Sequence, residues 1–493
     1  MNARLNKPGI AAGALCAFLA APALASAQTS VTINPAQVGP ALTNQILGAN
    51  MGDWEPILTP GYPVWLQSAG IAATRWPGGS NSDLYHWATN SNCGGAYVDP
   101  NATFDNFMTH VANSANLDVA VTLDYGTNAA CNGGGDPNEA AAWVAYAKAK
   151  NYKVSHWTIG NEVYGAWETD LHAVPNDPTT YASSVANGYY PAIKAADPTA
   201  QVGVVVAPCA QPPEPYCYTT SWDTAVLSQS PFDFVEFHWY AQGAGYENDS
   251  WLLYQTPLNL RADLALLKSE LNAVGHPNTP IMLGELGSVN SIPGKQSTSI
   301  TQALFAGEVL GELMNAGVSR ATWWTGFGSC YDASSGANFS SSLYGWQNFG
   351  GYMLVSDGTP EFGCANATKT APGTLLPTAE TFKLISLVAR NGETMLGSTI
   401  SGSTDLRAYA MTNNGGRAVV LINLNQSNSL KVAVNVMGVK SSAGVTVSSY
   451  DRAAYDKSRN NVWTPATTKS LGSQRLPLSL TLTPWSINVV RIK

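Results

Sequence analysis

Eight short β-rich runs alternate with helical stretches between residues 46 and 326, and no other feature of the chain restricts the fold as much. The runs are Ile46–Asn50, Ala72–Trp76, Asp118–Asp124, Ser155–Asn161, Gln201–Ala207, Phe232–Tyr240, Pro280–Glu285 and Arg320–Gly326. Apolar residues recur at helical spacing in the stretches Glu139–Lys150, Thr180–Ala196, Leu258–Ala273 and Ile300–Ala316. Eight strands that alternate with helices favour a parallel sheet closed into a (β/α)8 TIM barrel. An open doubly wound sheet is the rival, but no Gly-rich phosphate loop follows the first run.

The sequence pattern changes from alternating strands and helices to short β-rich runs after about residue 392. Short β-rich runs separated by Asn, Gly and Ser predict a C-terminal antiparallel β-sandwich. These runs are Leu406–Met411, Ala418–Leu424, Val432–Val436, Val445–Tyr450 and Ser486–Ile492. We therefore predict a catalytic barrel over residues 46–391 and a β-sandwich over 392–493. The segment 28–45 contains a candidate edge strand for the sandwich at Val31–Ile33.

The first 27 residues are typical of a secretory signal peptide. Arg4 and Lys7 precede the apolar run Gly9–Ala21, and Ala25-Ser26-Ala27 is a small-residue cleavage site. A buried N-terminal helix is the alternative. Cleavage changes the net charge from −8 to −10. The sequence thus predicts a secreted or periplasmic protein without a membrane span, and its acidic balance argues against nucleic acid or anionic membranes as partners.

Six cysteines remain after residue 27, and an even number in an exported chain suggests disulfides. Six cysteines allow 15 connectivities. We favour the pairs that each staple one loop region, namely Cys93–Cys131, Cys209–Cys217 and Cys330–Cys364. No Cys or His spacing typical of a transition-metal site is present, and we predict no metal and no cofactor.

Two predicted strands end in a glutamate. The fourth runs into Gly160-Asn161-Glu162, and the seventh into Gly284-Glu285. Strand ends of a barrel face the active site, although a lone strand-end carboxylate more often caps the next helix. Glycoside hydrolysis needs two carboxyl groups across the scissile bond, one as acid and one ionised. The pair therefore predicts a glycosidase, with retention of configuration if the carboxyls lie about 5–5.5 Å apart.

Other polar and aromatic residues at predicted strand ends are candidate substrate-binding residues. His238 and Tyr240 share one face of the sixth strand, where Tyr240 can hold a carboxylate and His238 can orient a carboxylate or a sugar. The alternative is a structural role, in which this aromatic strand packs in the core and the ring nitrogens of His238 are hydrogen-bonded there. Arg75 can keep the nucleophile ionised or form a structural salt bridge. Trp324, after the last strand, is a candidate platform for a sugar ring.

These segments together resemble the clan A glycoside hydrolases, and most closely family 51, the α-L-arabinofuranosidases. The family's Arg-aromatic-Pro-Gly-Gly stretch corresponds to residues 75–79, and its Tyr-x-Trp to residues 85–87. Its Gly-Asn-Glu and Gly-x-Trp correspond to residues 160–162 and 165–167, and its His-aromatic-Tyr to 238–240. The resemblance spans about residues 46–326. It implies that Glu162 is the acid/base and Glu285 the nucleophile, with Asn161 beside the reacting sugar.

At two positions the sequence departs from the family pattern, and both departures concern which sugar the protein recognises. The family usually has Gly-x-Phe-x-Glu at its first strand, with the Glu binding arabinose. In this chain Asn50 is the polar residue at that strand end, and we include it among the substrate-binding candidates. The family's nucleophile usually sits in Asp-Glu-Trp, whereas this chain has Gly284-Glu285-Leu286.

The sequence therefore predicts a retaining glycoside hydrolase that acts on plant or microbial polysaccharide or oligosaccharide, with α-L-arabinofuranosidase as the first choice. Related clan A families 39, 30 and 79 keep β-xylosidase, β-glucosidase and β-glucuronidase activities open, and an endo-glycanase remains another alternative. A carbohydrate-binding protein without catalysis is the alternative of another class. A structural or adhesive surface protein is a third class of function that the sequence leaves open.

Overall fold

Eight parallel strands close into a barrel in the computed structural model, which describes residues 29–210, 221–328, 330–332, 336–358 and 370–493. In chain order the strands are Gly48–Asn50, Ala73–Trp76, Asp118–Leu123, Val154–Ile159, Val202–Val205, Phe234–Gln242, Ile281–Val289 and Arg320–Trp323. Each strand pairs with the next, and the eighth pairs with the first. The predicted TIM barrel is confirmed, and each of the eight predicted runs overlaps one barrel strand. The predicted signal peptide lies outside the described residues.

Helices follow most barrel strands and bury their apolar faces against them. They are Tyr62–Ser68, Phe104–Asn106, Asn113–Ala115, Pro137–Ala149, Pro178–Ser184, Tyr190–Ala196, Ser221–Gln229, Asp249–Tyr254, Thr256–Ala273, Ile300–Ala316 and Pro377–Ile385. The π-helical turns Phe107–Ala112 and Val185–Tyr189 join two pairs of these segments. Several of the α-helices begin after an Asp, Asn, Ser or Thr residue whose side chain accepts a hydrogen bond from a backbone N–H. Asp136, for example, accepts from the N–H of Asn138. Helix and strand residues share one large apolar core.

Nine strands form the second domain as one continuous curled sheet. They are Ser30–Ala41, Thr394–Ser401, Leu406–Asn413, Gly416–Asn423, Leu430–Val436, Ser441–Asp451, Thr467–Arg475, Leu478–Leu482 and Ser486–Ile492. The N-terminal strand lies between Thr394–Ser401, to which it is antiparallel, and Leu430–Val436, to which it is parallel. The other pairings are antiparallel, and the concave face encloses its own core of aliphatic residues. The predicted C-terminal β-domain is confirmed.

The barrel meets this sheet along the helix Ile300–Ala316, which is buried over nearly its whole length. Glycine at position 311 admits the ring of Tyr409, because a Cβ there would lie 2.4–2.5 Å from three ring atoms. The Tyr409 hydroxyl donates to Glu312 Oε1 at 3.0 Å. Arg407 forms an ion pair with Glu308 at 2.9 Å across the same contact. The two domains thus share a packed and polar interface.

One predicted disulfide, Cys93–Cys131, is confirmed. Each of the other two predicted pairs includes a residue outside the described part of the chain, Cys217 or Cys364. Among the described residues, no helix has the length and apolar character needed to cross a membrane.

We predict that Gly311→Ala lowers the free energy of unfolding, although alanine is the better helix former by about 1 kcal/mol. The new methyl group must displace the buried Tyr409 ring, and overpacking of this kind costs about 1–3 kcal/mol. Chemical denaturation measures the loss. Asn315→Ala, at an exposed position of the same helix, is the control and should change stability by less than about 0.5 kcal/mol. Equal stability of both variants would contradict close packing of the Tyr409 ring against this helix.

Candidate active site

Polar side chains from six strand ends converge at the carboxyl end of the barrel. Each of the sequence-predicted site residues belongs to this group, which comprises Asn50, Arg75, Asn161, Glu162, His238, Tyr240, Glu285 and Trp324. They come from the ends of the first, second, fourth, sixth, seventh and eighth strands. Parallel strands of a barrel end on the same face, so residues far apart in sequence become neighbours there.

Arg75 lies at the centre of the group and is fully buried. Its Nη1 donates to Glu285 Oε1 and to Asn50 Oδ1, both at 3.1 Å. Its Nη2 donates to Asn161 Oδ1 at 2.7 Å, and its Nε lies 2.8 Å from Glu236 Oε1. The guanidinium group presents donors in a fixed planar fork, so these contacts fix the relative positions of four strand ends.

Gly284 lets Glu285 and Glu236 occupy adjacent strands at close range. A Cβ at position 284 would lie 1.9 Å from Glu236 Oε1, so only glycine fits. The pairing register of the sixth and seventh strands shifts between Leu283 and Glu285, which aligns Glu285 with His238. Such a bulge re-aims a side chain. The Tyr240 hydroxyl then donates to Glu285 Oε2 at 2.6 Å, so each oxygen of Glu285 accepts a hydrogen bond.

Glu162 follows the fourth strand with a φ of 42°, in the left-handed region that costs energy for a residue other than glycine. The side chain is held from both sides. His238 Nδ1 lies 2.8 Å from Glu162 Oε1, and Trp167 Nε1 donates to Glu162 Oε2 at 2.8 Å. One oxygen of Glu162 and one of Glu285 lie within 4.8 Å of each other. The two carboxyl groups therefore face the same small space.

Three carboxyl groups and two cationic groups make up this buried cluster. Burial raises the pKa of Glu236, but the charges of Arg75 and His238 and the hydrogen bonds from His238 and Thr158 together hold that pKa below its usual value. Burial also raises the pKa of Glu285, and it prevails there over the opposing charges of His238 and Arg75. Burial lowers the pKa of His238, but the charge of Glu285 and the hydrogen bonds to Glu162 and Glu236 raise it to about 10.

His238 Nδ1 and Glu162 Oε1 lie 2.8 Å apart, so a proton between them can reside on either group. Burial raises the pKa of Glu162, but the hydrogen bonds from His238 and Trp167 and the charges of His238 and Arg75 together bring that pKa below its usual value. In the free protein the proton accordingly resides on His238, whose other nitrogen faces Glu236 Oε1 at 3.2 Å. Transfer of that proton to Glu162 Oε1 leaves a neutral imidazole with Nε2–H towards Glu236. The total proton count of the cluster does not change.

A cleft of about 300 Å3 opens above the cluster. Its lining residues are Gly79, Ser80, Asn161, Glu162, Trp167, Tyr240, Glu285, Asn290, Ser291 and Trp324. Asn161, Tyr240 and Trp324, three predicted substrate-binding residues, thus line the cleft together with both glutamates. Asn50 and Arg75 are fully buried beneath it, and His238 is nearly so. These three positions hold the glutamates in place from below.

Sequence reasoning did not select several residues of this site. Glu236 shares a strand face with His238 and Tyr240, and that two-residue period was the signal that could have found it. Trp167 was recognised only as part of a motif. Glu168 accepts from Ser80 Oγ at 2.8 Å and from Asn161 Nδ2 at 3.0 Å, which orients the Asn161 amide. No local pattern in the sequence predicts that contact.

Among the residues that the structure describes, two clusters have the donor types of a metal site. Glu162, His238 and Glu285 form one, but the nitrogens of His238 already face carboxylates. His86, Cys93 and Cys131 form the other, in which both sulfurs belong to the disulfide. Thiolate ligation at the second cluster would require reduction. The absence of a cofactor stays a prediction from the sequence.

Comparison with solved structures finds glycosidases of the same architecture. An α-L-arabinofuranosidase of family 51 from Thermotoga petrophila matches with a TM-score of 0.70 at 18% identity, over 94% of this chain and 100% of that one. The arabinose complex of the Thermotoga maritima α-L-arabinofuranosidase gives a TM-score of 0.68 at 17% identity, over 94% and 99%. CelM2, a bifunctional glucanase-xylanase from a metagenome library, gives 0.66 at 14% identity, over 94% and 99%.

These neighbours confirm the fold that the sequence resemblance implied. The barrel and the β-domain together correspond to whole chains of family 51 α-L-arabinofuranosidases, and a glucanase-xylanase shares the architecture. No known protein-family model matches the chain. No curated protein sequence matches it either.

We predict that the His238 ring stays protonated at about pH 8, where an unperturbed histidine is neutral. The negative charges around it oppose proton release. Nitrogen-15 NMR of the histidine rings measures the protonation state, with His238→Gln to assign the signal among the six histidines. Glu162→Gln removes one acceptor and should lower the pKa of His238. Titration of His238 near its ordinary pKa would refute this distribution of charge in the cluster.

Proposed function

We propose that this protein is a retaining glycoside hydrolase, with Glu285 as nucleophile and Glu162 as acid/base. One observation carries the proposal: two glutamates face one cleft with oxygens within 4.8 Å, and each has donors suited to a different role. Inverting enzymes hold their carboxyls about 6.5–9.5 Å apart to admit a water molecule, whereas retaining enzymes hold them about 5–5.5 Å apart. The short separation favours the retaining route.

In the first step, Glu285 attacks the anomeric carbon and the bond to the leaving-group oxygen breaks. Arg75 and Tyr240 each donate to Glu285, which orients the carboxylate and stabilises its charge until the ester forms. Glu162 gives its proton to the departing oxygen. The energetic gain is largest in the transition state, where negative charge develops on that oxygen.

In the second step, Glu162, now an anion, takes a proton from water. The resulting hydroxide equivalent attacks the anomeric carbon, the ester to Glu285 breaks, and the sugar leaves with its original configuration. Glu162 regains its proton and Glu285 its negative charge. The two steps therefore return both glutamates to their starting states.

The proton that Glu162 donates in the first step comes from its contact with His238. Substrate covers the cleft and removes water from Glu162, which disfavours the anion and moves the shared proton onto Glu162. This step reconciles the lowered pKa of Glu162 in the free protein with its role as an acid. His238 is a positioning residue that also stores the proton.

We propose an α-L-arabinofuranosyl residue as the first sugar to test and polysaccharide or oligosaccharide as the substrate. Support comes from the motifs at residues 75–79, 160–162 and 238–240 and from neighbours that are named as arabinofuranosidases. Export to the periplasm or the medium is part of the proposal. Residues 1–27 support it, as does the Cys93–Cys131 disulfide, which an oxidising compartment favours.

We expect Glu162→Ala to reduce hydrolysis of alkyl or sugar leaving groups by about 10²–10⁴-fold, the usual contribution of a general acid. Aryl glycosides such as 4-nitrophenyl α-L-arabinofuranoside need little protonation and should retain more of their rate. Added azide should then restore turnover, because it replaces water in the second step without needing a base. Glu285→Gln should abolish both reactions. Full activity in either variant would overturn the assignment.

Tyr240→Phe removes the hydroxyl that donates to Glu285. A hydrogen bond to a charged group contributes about 1.5–3 kcal/mol, so we expect kcat/KM to fall by about 10–150-fold. The pKa of Glu285, already raised by burial, rises further, and the acid limb of the pH profile moves to higher pH. Activity needs Glu285 ionised, so it is lost as the pH falls through this pKa.

The basic limb of the same profile depends on a different group. The proton shared by His238 and Glu162 is lost as the pH rises towards about 10. His238→Gln should move this limb to lower pH, while Tyr240→Phe should leave it in place. Movement of both limbs in both variants would contradict the separation of roles.

A further inference from the structure

A second cavity of about 360 Å3 adjoins the catalytic cleft, and its volume falls in the range of about 300–1,000 Å3 typical of small-molecule sites. It is formed by residues that follow the first, second and eighth barrel strands. Trp54, Tyr97 and Phe327 are representative members, one from each segment. Trp324 lines both this cavity and the cleft, so the two spaces meet at one indole ring.

Trp324 is held as a partition between the two spaces. Its ring lies over the backbone at Gly79, where a Cβ would come within 2.6 Å of the indole. On the other side, the rings of Trp54 and Trp324 lie 6.1 Å apart between centroids with an interplanar angle of 57°. A ligand that occupies the cleft and continues past Trp324 therefore reaches the second cavity.

The second cavity combines aromatic walls with a carboxyl group. Tyr97 lines the cavity and exposes 66% of its surface, so its ring is accessible to a ligand there. Glu55 is 2% exposed, and its oxygens accept from the Tyr62 hydroxyl at 2.6 Å and from the Gly52 N–H at 3.1 Å. Aromatic faces and fixed acceptors are the groups that bind the C–H faces and hydroxyls of sugars.

The position of this cavity relative to Glu162 defines which part of a substrate it contacts. Glu162 follows the fourth strand and protonates the leaving group, so the leaving part of the substrate lies beside Glu162 and Trp167. The barrel order places the fourth strand opposite the eighth. The eighth strand pairs with the first, and the first pairs with the second. The second cavity thus lies on the side away from the leaving group, beyond the sugar that bonds to Glu285.

We propose that this second cavity binds one neutral sugar unit attached to the sugar at the cleavage site, so that the protein cleaves bonds within a chain. The inference rests on the proposed glycosidase function and adds the substrate class. A glycan that is cut after a single terminal sugar leaves the second cavity empty. A glycan that is cut internally occupies both spaces at once, with Trp324 between them.

The lining of the second cavity offers no cationic partner for a uronic acid. Glu55 and Asp357 both line it, burial raises the pKa of Glu55 to about 8, and no Lys, Arg or His is among its described lining residues. A uronate carboxylate would have no cation there to pair with. A neutral pentose or hexose instead offers hydroxyl donors to these acceptors.

The kinetic test compares 4-nitrophenyl glycosides that carry one or two units of the same sugar. The arabino-, xylo- and gluco-series serve as probes, together with the Glu285→Gln variant. We expect kcat/KM to be at least about tenfold higher for the two-unit substrate, which corresponds to about 1.4 kcal/mol from the second cavity. Tyr97→Ala and Trp54→Ala should each reduce this two-unit to one-unit ratio by about tenfold.

Trp251→Ala is the matched control. Trp251 is a half-exposed aromatic residue on the helix Asp249–Tyr254, outside both cavities. This variant should keep the wild-type ratio. Tyr97 is largely exposed, so Tyr97→Ala should also keep the wild-type thermal midpoint, and a changed ratio then reports on binding. A ratio near one in the wild type, or one unaffected by Tyr97→Ala, would overturn the inference while the hydrolase assignment stands.

A binding measurement separates the inference from catalysis. Calorimetry on Glu285→Gln uses tetrasaccharides of the three neutral series and of galacturonic acid. We expect a neutral tetrasaccharide to bind at least about tenfold more tightly than the corresponding monosaccharide, and Tyr97→Ala to remove that difference. Preference for the galacturonate chain, or no gain with chain length, would contradict the proposal. Activity that persists in Glu285→Gln would instead refute the proposed mechanism.

Discussion

The buried guanidinium of Arg75 is the contact on which the site depends. It joins Asn50, Asn161, Glu236 and Glu285, which belong to or directly follow four different barrel strands. A cation without exposure to water needs negative partners, and Glu285, the proposed nucleophile, is one of them. The same guanidinium that pairs with Glu236 inside the barrel therefore also holds the carboxylate of Glu285 at the cleft. Loss of Arg75 would remove a counter-charge from two buried carboxyls, Glu236 and Glu285.

The different roles that we propose for the two glutamates follow from their different hydrogen-bond donors. Glu285 accepts from Arg75 and Tyr240, whereas Glu162 faces the Nδ1 of His238. Two identical side chains in one cleft thus have different surroundings, which can assign them different tasks. The cleft and the second cavity share Trp324, and in our proposal this ring lies between the sugar at the cleavage site and the next unit of the chain.

Strand periodicity made most of this arrangement predictable. Glu162 and Glu285 end apolar runs, and parallel strands of a barrel must end on one face, so their convergence follows from the alternation of strands and helices. The second cavity was not predictable, because Tyr97 and Glu55 lie in loops whose paths no periodic pattern determines. The contact of Glu236 with Arg75 was also missed, since burial of a charge depends on partners from distant strands. The continuous sheet of the second domain likewise depends on pairings such as Ser30–Ala41 with Leu430–Val436.

Trapping of the covalent intermediate tests the central claim most directly. Glu162→Ala slows the second step, so incubation with an activated aryl glycoside that the protein cleaves should accumulate a glycosyl ester. Peptic digestion and mass spectrometry then locate the sugar. We expect a single modified peptide with the sugar on Glu285. Attachment to another residue, or the absence of any adduct together with an inverted anomer by proton NMR, would contradict the retaining mechanism.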